Sequence, residues 1–291
     1  MDNVNAGAVA VVTGASTGIG EATALRLARD GYRVVATMRR PEVSGLPDIA
    51  SAESLHIDVA ALDVDSDESV AGLFADVVER LGPVEVLVAN AGVGGNGGPM
   101  ESASLDVFRS TMETNFFGAI RCVKAVLVPM RERGAGTIVA VTSQAGRLAP
   151  PTMPAYVASK WALEGAMESL AGSVAPFGVR VAIIEPGCIL TPIFSKAAEG
   201  EQPAVPAPYQ PQIDAFLTGL FHDLARGDDP SVVADCIAEA ITTDDPRLRY
   251  LVGQGAGRNI AVRASLTDEE YIGLNLLSAD EQMAIQLAGE A

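Results

Sequence analysis

Residues 8–20 of the chain are Ala8-Val9-Ala10-Val11-Val12-Thr13-Gly14-Ala15-Ser16-Thr17-Gly18-Ile19-Gly20. The first five form a short apolar run, which predicts a buried β-strand. Apolar residues then recur at helical spacing from Ile19 to Asp30, and Gly31 follows as a helix-ending glycine does. Glycines permit a tight bend, and the helix N-terminus presents N–H groups to an anion. This order of strand, glycine turn and helix therefore predicts a dinucleotide site.

Apolar strand-like runs alternate with amphipathic helical runs along the rest of the chain. The later predicted strands are Arg33–Thr37, His56–Leu62, Val84–Ala89, Thr137–Thr142, Val179–Ile184 and Tyr250–Val252. The predicted helices are Ile19–Asp30, Asp67–Leu81, Ser104–Glu132, Ala155–Ala175, Ile213–Arg226 and Pro230–Thr242. This alternation predicts an α/β fold, a Rossmann-type doubly wound parallel sheet of about seven strands with helices on both faces. No linker divides it, so residues 1–291 are predicted to form a single domain, and the proline-rich stretch Gln202–Pro211 a loop or flap.

Cysteine and histidine usage limits the classes of site. The three cysteines, Cys122, Cys188 and Cys236, are odd in number and far apart. This spacing argues against a disulfide framework and for a reducing compartment, so a cytoplasmic location is expected. With two histidines and no Cys-x-x-Cys pair, the sequence predicts no metal site.

Charge and hydropathy limit the classes of partner. The formal net charge of −17 repels nucleic acid and anionic membrane surfaces. No apolar run approaches the ~18 residues that a membrane helix requires, and the N-terminus lacks the basic start of a secretory signal. We expect no nucleic-acid partner and no membrane insertion.

Tyr156 and Lys160 are four residues apart in a predicted helix, so their side chains share one face. An ammonium close to a phenol favours the phenolate and lowers the phenol pKa. The pair can therefore act as a general acid or base near neutral pH. The same spacing also occurs on ordinary solvated helix faces, so the surrounding motifs decide between the two interpretations.

Those motifs occur in a fixed order. They are the Thr13–Gly20 turn, Leu62-Asp63-Val64, Asn90-Ala91-Gly92, Asn115, Ser143, the Tyr156–Lys160 pair, and Pro186-Gly187-Cys188-Ile189-Leu190-Thr191. With this order and these separations, residues 8–192 resemble the short-chain dehydrogenase/reductase superfamily in its single-domain form. The segments Ala36–Arg40 and Asp245–Gly253 resemble its branch of 17β-hydroxysteroid and retinol dehydrogenases.

The resemblance implies a catalytic set of four residues. Tyr156 would exchange a proton with the substrate oxygen, and Lys160 would lower the Tyr156 pKa and bind the nicotinamide ribose. Ser143 would orient and polarise the substrate oxygen, although a helix-capping role is the alternative. Asn115 would hold a water that continues the proton relay, although it is also consistent with a surface asparagine.

The resemblance also implies the cofactor contacts. Gly14, Ser16, Thr17, Gly18, Ile19 and Gly20 would surround the pyrophosphate, with Asp63 and Val64 beside the adenine. Asn90, Ala91 and Gly92 would pass the adenosine ribose, unless Asn90 only braces the turn. Pro186, Gly187, Ile189 and Thr191, with Tyr156 and Lys160, would border the nicotinamide side.

Two residues after the second strand favour NADP(H) over NAD(H). Met38 occupies the place where NAD-specific members carry an aspartate, and Arg39 follows it. A basic residue there accommodates the 2′-phosphate. Thr17 departs from many NADP-using relatives, which carry Arg or Lys before the second glycine. Arg39 and Arg40 could also be solvated loop charges.

The segments expected to border the substrate are mostly apolar. They are Val93–Met100, Ala145–Ala155 and the region after Thr191, with Leu148, Met153, Ile193, Phe194, Phe216, Leu220 and Phe221. An apolar pocket suits a lipophilic, steroid-like ketone or secondary alcohol. The same residues could instead form core or a subunit contact.

We therefore predict an NAD(P)-dependent oxidoreductase that interconverts a ketone or aldehyde and an alcohol by hydride transfer. Residues 7–145 would bind cofactor, and residues 146–291 would supply chemistry, substrate contacts and a variable tail. A non-catalytic redox sensor or scaffold is the alternative, and an epimerase or dehydratase is a third. The resemblance implies a homodimer or homotetramer packed through Ser104–Glu132 and Ala155–Ala175. The tail after Val252 could cover the pocket or pack on a neighbour.

Overall fold

Seven of the apolar runs form the strands of one parallel sheet. The computed structural model describes residues 7–95, 98–193, 195 and 204–288. The strands are β1 (Val9–Thr13), β2 (Arg33–Met38), β3 (Ile57–Ala61), β4 (Val84–Ala89), β5 (Gly136–Val141), β6 (Val179–Pro186) and β7 (Arg249–Val252). Their order is β3-β2-β1-β4-β5-β6-β7, and every neighbouring pair is parallel. The predicted seven-stranded doubly wound sheet is confirmed.

Helices cover both faces of this sheet. They are α1 (Gly18–Arg29), α2 (Leu46–Glu53), α3 (Asp67–Leu81), α4 (Leu105–Met112), α5 (Ala119–Arg133), α6 (Pro154–Val174), α7 (Gln210–Leu224), α8 (Pro230–Thr242), α9 (Ala256–Ser265), α10 (Asp268–Gly273) and α11 (Ala279–Ala288). Helices α1, α2 and α8 pack on one face, and α3, α5 and α6 pack on the other.

Alternation along the strands explains why both faces are apolar. In β1, Val9 and Val11 enter the core under α3, α5 and α6, whereas Ala10 and Val12 enter the core under α1 and α8. A strand buried on both sides has no polar face, which is why these runs are continuously hydrophobic.

The chain reverses its winding at β1, which pairs with β2 on one side and β4 on the other. The connection that leaves β1 runs toward β2, and the connection that leaves β4 runs toward β5 on the opposite side. The two connections therefore diverge at the carboxyl ends of β1 and β4 and open a crevice. Ligands of open α/β sheets bind at such a point.

The predicted helix Ser104–Glu132 is wrong as a single α-helix. The residues Glu113–Gly118 between α4 and α5 form a π-helical segment. The wider π-helical turn directs the Asn115 side chain toward the Val93 backbone, with which it forms two hydrogen bonds. Short π-helical segments of this kind occur often at functional sites.

Other regions also differ from the sequence prediction. Helices α2, α9 and α11 were not predicted. The predicted loop around Gln202–Pro211 ends early, because a 3₁₀ turn at Ala207–Tyr209 leads into α7 at Gln210. Gln202 and Pro203 lie outside the described residues. Helix α10 begins after Thr267, where Thr267 and Glu270 form a capping box.

Candidate active site

Three glycines shape the turn between β1 and α1. Gly14 and Gly18 have φ values of +68° and +63°, a conformation that side chains rarely adopt. A Cβ at Gly20 would lie 2.4 Å from the Gly14 carbonyl oxygen and 2.6 Å from Asn90 Nδ2. The turn therefore leaves no room for side chains at these positions, and it exposes backbone N–H groups at the start of α1, as a pyrophosphate requires.

Thr13 and Asn90 brace this turn. The Asn90 side chain donates to the carbonyl oxygens of Thr13, at 2.9 Å, and Gly14, at 3.2 Å. The Thr13 hydroxyl accepts from the backbone N–H groups of Asn90 and Ala91, both at 3.0 Å. Asn90 therefore braces the turn, and it also lines the groove that lies over it. Thr13 was missed as a bracing residue, although its place at the end of a buried strand was a signal.

A groove of about 750 Å³ lies over the glycine turn. Most of the predicted cofactor contacts line it, namely Gly14, Ser16, Thr17, Gly18, Ile19, Gly20, Met38, Arg39, Asp63, Val64, Asn90, Ala91, Gly92 and Thr191. Arg40 and Asp65 also border it and were not predicted. Met38 is almost fully buried, whereas Arg39 and Arg40 are exposed. The glycine cradle and the groove together fit a dinucleotide.

Tyr156 lies in the first turns of α6 and faces the end of β5. Burial raises the pKa of its phenol, and a hydrogen bond with Ser143 acts in the opposite direction. Burial thus dominates the pKa of this phenol in the structure, and Lys160 is not among the causes of its shift. The ammonium lies 5.7 Å from the ring centroid and donates to the Val141 carbonyl oxygen at 3.1 Å.

Ser143 lies two residues after the end of β5, at the carboxyl edge of the sheet. Its hydroxyl accepts from the Ala145 N–H at 3.1 Å and caps a 3₁₀ turn over Gln144–Gly146. The same hydroxyl hydrogen-bonds to Tyr156. The capping interpretation of this serine is therefore observed, and the cap fixes the hydroxyl where it meets the phenol. Its role toward a substrate oxygen stays a prediction.

Lys160 is buried one helical turn beyond Tyr156. Desolvation lowers the pKa of its ammonium to about 8, and the charge of Glu164 opposes this decrease. A lysine with such a pKa can both carry a positive charge and exchange a proton near neutral pH.

Asn115 is buried rather than exposed, so the surface interpretation is wrong. Its amide binds both backbone groups of Val93 and donates to Ser159 Oγ at 3.0 Å. A Cβ built on Gly92 would lie 3.2 Å from Asn115 Oδ1 and 3.7 Å from Lys160 Nζ. Asn115 and Lys160 therefore converge on the glycine that follows β4.

A second cavity of about 300 Å³ adjoins the groove at Ile19, Asn90 and Gly92. Ser143, Tyr156 and Lys160 line it, together with the predicted nicotinamide-side residues Pro186, Gly187, Ile189 and Thr191. Of the predicted substrate contacts, Leu148, Met153, Ile193, Phe216 and Leu220 line it as well. Phe221 is 63% exposed and does not, because it points off the outer side of α7. Phe194 lies outside the described residues.

The C-terminal tail covers this second cavity. Tyr271, Leu274, Asn275, Gln282 and Ile285 line it from α10, α11 and the turn between them. Of the two alternatives for the tail, covering the pocket is therefore the one that the single chain shows.

Two polar contacts that were missed hold the tail in place. Asn259 Nδ2 of α9 donates to Gln144 Oε1 at 2.9 Å, one residue after Ser143. Arg258 Nη2 donates to Asp223 Oδ2 of α7 at 2.9 Å, and both of these side chains are buried. The only signal in the sequence was the polar pair Arg258-Asn259 among small and apolar residues.

The arrangement places the Tyr156 phenol, the Ser143 hydroxyl and the buried Lys160 ammonium in the second cavity, which adjoins the groove. One cavity has the glycine cradle of a dinucleotide site, and the other is mostly apolar. Such a site can bring a hydride donor and an organic oxygen together and move a proton at that oxygen. Within the described residues, no group of three His, Cys, Asp or Glu side chains could hold a metal ion, and no helix has the length and apolar character to cross a bilayer.

Residues 8–202 match the family model of the short chain dehydrogenases. An uncharacterized oxidoreductase, YusZ, of Bacillus subtilis is 36% identical over 88% of this chain and 92% of its own length. Bovine retinol dehydrogenase 8 is 39% identical over 82% and 79%. Mouse 17-beta-hydroxysteroid dehydrogenase type 1 is 35% identical over 83% and 72%.

Solved structures with similar folds carry either nicotinamide dinucleotide. A short-chain dehydrogenase of Streptomyces avermitilis has a TM-score of 0.76 at 35% identity, over 92% of this chain and 97% of that one. A metagenomic short-chain oxidoreductase in complex with NADP has a TM-score of 0.69 at 28% identity, over 85% and 97%. A Burkholderia phymatum enzyme in complex with NAD has a TM-score of 0.78 at 27% identity, over 91% and 94%.

Proposed function

We propose that this chain, which belongs to the short-chain dehydrogenase family, interconverts a ketone or aldehyde and the corresponding alcohol by hydride transfer. The observation that carries the proposal is the convergence of Ser143, Tyr156 and Lys160 where the dinucleotide groove meets the apolar cavity. A protein that only senses or binds a dinucleotide needs no buried acid–base group at that junction.

The residues divide the work of the reaction. A bound nicotinamide supplies or accepts the hydride at its C4 atom. In the reducing direction, Tyr156 donates its hydroxyl proton to the carbonyl oxygen, and Ser143 donates a hydrogen bond to the same oxygen. The phenolate then regains a proton from the side where Lys160 and Asn115 converge. In the oxidising direction each proton moves the opposite way.

We propose NADP(H) as the preferred cofactor. Arg39 and Arg40 border the groove at the end of β2, and no carboxylate occupies position 38. A guanidinium binds a 2′-phosphate bidentately. Asp63 and Asp65 also line this end of the groove and would repel the phosphate. The preference for NADP(H) therefore requires Arg39 and Arg40 to lie nearer to the 2′-phosphate than these two carboxylates do.

We propose a lipophilic, steroid-like substrate. Leu148, Met153, Phe216 and Leu220 give the second cavity mostly apolar walls. Apolar walls with a few polar groups bind hydrophobic ligands and fix their orientation. The names of two relatives, retinol dehydrogenase 8 and 17-beta-hydroxysteroid dehydrogenase type 1, support the same chemical class.

Three further assignments belong to this proposal. Residues 7–145 supply most of the groove and residues 146–291 most of the second cavity, which supports the division into a cofactor half and a substrate half. Exposed apolar side chains on α5 and α6, including Val128 and Trp161, support a homodimer or homotetramer through these helices. The three free cysteines support a cytoplasmic location.

The test begins with titration of the purified protein with NADPH and NADH, followed by cofactor fluorescence. Steroid, retinoid and aliphatic ketones are then added with the tighter-binding nucleotide, and the absorbance of the reduced nicotinamide is recorded. The expected result is tighter binding of NADPH and its oxidation by at least one lipophilic ketone. Binding without turnover across the panel would favour the redox sensor, and failure to bind either nucleotide would contradict the proposal.

A further inference from the structure

Two carboxyl groups lie buried behind the candidate active site and take no part in the chemistry described above. Glu164 follows Lys160 by one turn of α6, and Glu185 ends the apolar run of β6. Their residues are 5% and 0% exposed. Buried carboxylates are rare without a partner, so their surroundings indicate what they do.

Glu164 is bound at both of its oxygens. Oε1 accepts from the Thr142 hydroxyl at 2.6 Å, and Oε2 accepts from Arg249 Nε of β7 at 3.0 Å. Both oxygens of Glu185 lack a hydrogen bond, and the nearest atoms of Arg249 and Arg147 are 3.4 Å and 3.6 Å away. Of the two carboxyl groups, Glu164 therefore has the closer contacts with Arg249 and Thr142.

The contacts of Glu164 reach the catalytic strand end directly. Thr142 lies between Val141, whose carbonyl oxygen accepts from Lys160 Nζ, and Ser143. A Cβ on Gly146 would lie 2.8 Å from Glu164 Cγ, so the 3₁₀ turn capped by Ser143 packs against this side chain. One carboxylate thus contacts the segment that carries Ser143 and shares a helix face with Lys160.

The charges around Lys160 come from several elements. Glu164 and the phenol of Tyr156 share α6 with it, Glu185 lies on β6, Arg249 on β7, and Arg147 follows the 3₁₀ turn. Glu168 is exposed on the next turn of α6 and accepts from Arg249. On the elements that pack against α6 from the other side, Glu113 pairs with Arg121 and Asp106 pairs with Arg109. Of these groups, Glu164 raises the pKa of the Lys160 ammonium through its negative charge.

We propose that Glu164 is a positioning residue for the reaction, whose carboxylate fixes the Thr142–Ser143 strand end and places a negative charge on the helix face that carries the buried Lys160 ammonium. The inference rests on the proposed function for its role in catalysis. Its electrostatic part stands without turnover, because the protonation of Lys160 is a property of the folded protein.

The chain offers a direct measurement, because it contains only three lysines, Lys124, Lys160 and Lys196. Protein labelled with ¹³C at lysine Cε gives three NMR signals, which the variants Lys124→Arg and Lys196→Arg assign. Their pH titrations report each pKa, and the exposed Lys124 serves as an internal reference. The wild-type Lys160 signal is expected to titrate with a pKa of about 8.

In Glu164→Gln, the pKa of Lys160 should decrease by ~1 unit, because an opposite charge is lost from a buried site. The matched control is Glu168→Gln, which removes the exposed partner of the same Arg249 and should leave the Lys160 titration unchanged. The high-pH decrease in kcat should move to lower pH in Glu164→Gln alone. Equal Lys160 titrations in the wild type and Glu164→Gln would overturn the proposal whether or not a substrate is found.

A second variant covers the case in which Glu164→Gln does not fold. Glu164→Asp retains the charge but withdraws it by one methylene, so Lys160 should titrate between the wild-type value and that of the neutral variant. Circular dichroism confirms the fold of each protein. An unchanged Lys160 titration in a folded Glu164→Asp protein would also contradict the proposal.

Discussion

The side chain of Asn115 binds both backbone polar groups of Val93. Oδ1 accepts from the Val93 N–H at 2.7 Å, and Nδ2 donates to the Val93 carbonyl oxygen at 3.0 Å. An asparagine from a π-helical segment thus acts as a strand partner for the loop that follows β4. The loop passes between the dinucleotide groove and Lys160, so its position determines the shape of the groove and the surroundings of the Lys160 ammonium.

Asn115→Ala should therefore lower stability and turnover together. The substitution leaves the Val93 N–H and carbonyl groups without their partner, which costs ~1–3 kcal/mol for each buried group left unsatisfied. Thermal unfolding of the variant checks this. The control is the neighbouring Thr114→Ala, which removes one exposed hydrogen bond to Asp65 and should cost less than ~1 kcal/mol. Equal melting temperatures for the wild type and Asn115→Ala would show that the loop does not depend on the amide.

Tyr156→Phe should abolish most turnover and leave cofactor binding intact. The variant retains the ring packing but has no proton to donate, so kcat should decrease by ~10²-fold or more. Steady-state kinetics with the ketone from the panel measures the decrease, and NADPH fluorescence measures binding. Turnover close to that of the wild type would assign the proton transfer to another group.

How much of this site the sequence predicts depends on how local each signal is. The glycine turn and Tyr156 with Lys160 are short patterns whose geometry follows from one strand and one helix, so they were found. Glu185 was not, because a carboxyl at the end of an apolar strand is explained only by Arg249 and Arg147, which come from distant segments. The pKa of Tyr156 depends on burial by the whole fold, which a helical spacing cannot show.

Gly20→Ala should weaken dinucleotide binding. The new Cβ would lie within 2.4 Å of the Gly14 carbonyl oxygen, so the turn must open and its N–H groups lose their alignment. The matched control is Gly72→Ala, an exposed helical position with nothing within 4 Å of the added Cβ. That variant should bind normally and gain up to ~1 kcal/mol in stability from helix propensity. Fluorescence titration of both variants with NADPH and NADH measures their dinucleotide binding. Tight binding by Gly20→Ala would contradict the role of the turn.

Met38→Asp with Arg39→Ala should move the cofactor preference toward NAD(H). A carboxylate at position 38 can accept from the ribose 2′-hydroxyl and repels a 2′-phosphate, and removal of Arg39 takes away the proposed phosphate partner. The ratio of kcat/KM values for NADPH and NADH measures the change. Arg33→Ala is the control, because Arg33 begins the same strand at its other end and lies outside the groove. An unchanged ratio of the NADPH and NADH kcat/KM values in the double variant would contradict the proposed role of Arg39.

Glu185→Gln should stabilise the protein at pH 8 more than at pH 5. Burial, followed by the charge of Glu164, raises the pKa of Glu185 to about 7. A carboxyl whose pKa is higher in the folded state favours folding of the protonated form, so the wild type loses stability as the pH rises from about 4.5 to 7. The loss amounts to about 3 kcal/mol over that window. A glutamine at position 185 does not titrate, so Glu185→Gln does not lose this stability as the pH rises.

Glu168→Gln provides a control of opposite sign for this pH dependence. The hydrogen bond and the charge of Arg249 lower the pKa of Glu168, so its contribution to stability is present above the usual carboxyl range and disappears as the pH falls. Glu168→Gln should therefore lose stability relative to the wild type at pH 8 and match it in strong acid. Denaturant unfolding of the three proteins at pH 5 and pH 8 measures both effects. If the advantage of Glu185→Gln does not grow between these pH values, Glu185 is already ionised at pH 5 and its burial is compensated by Arg147 and Arg249.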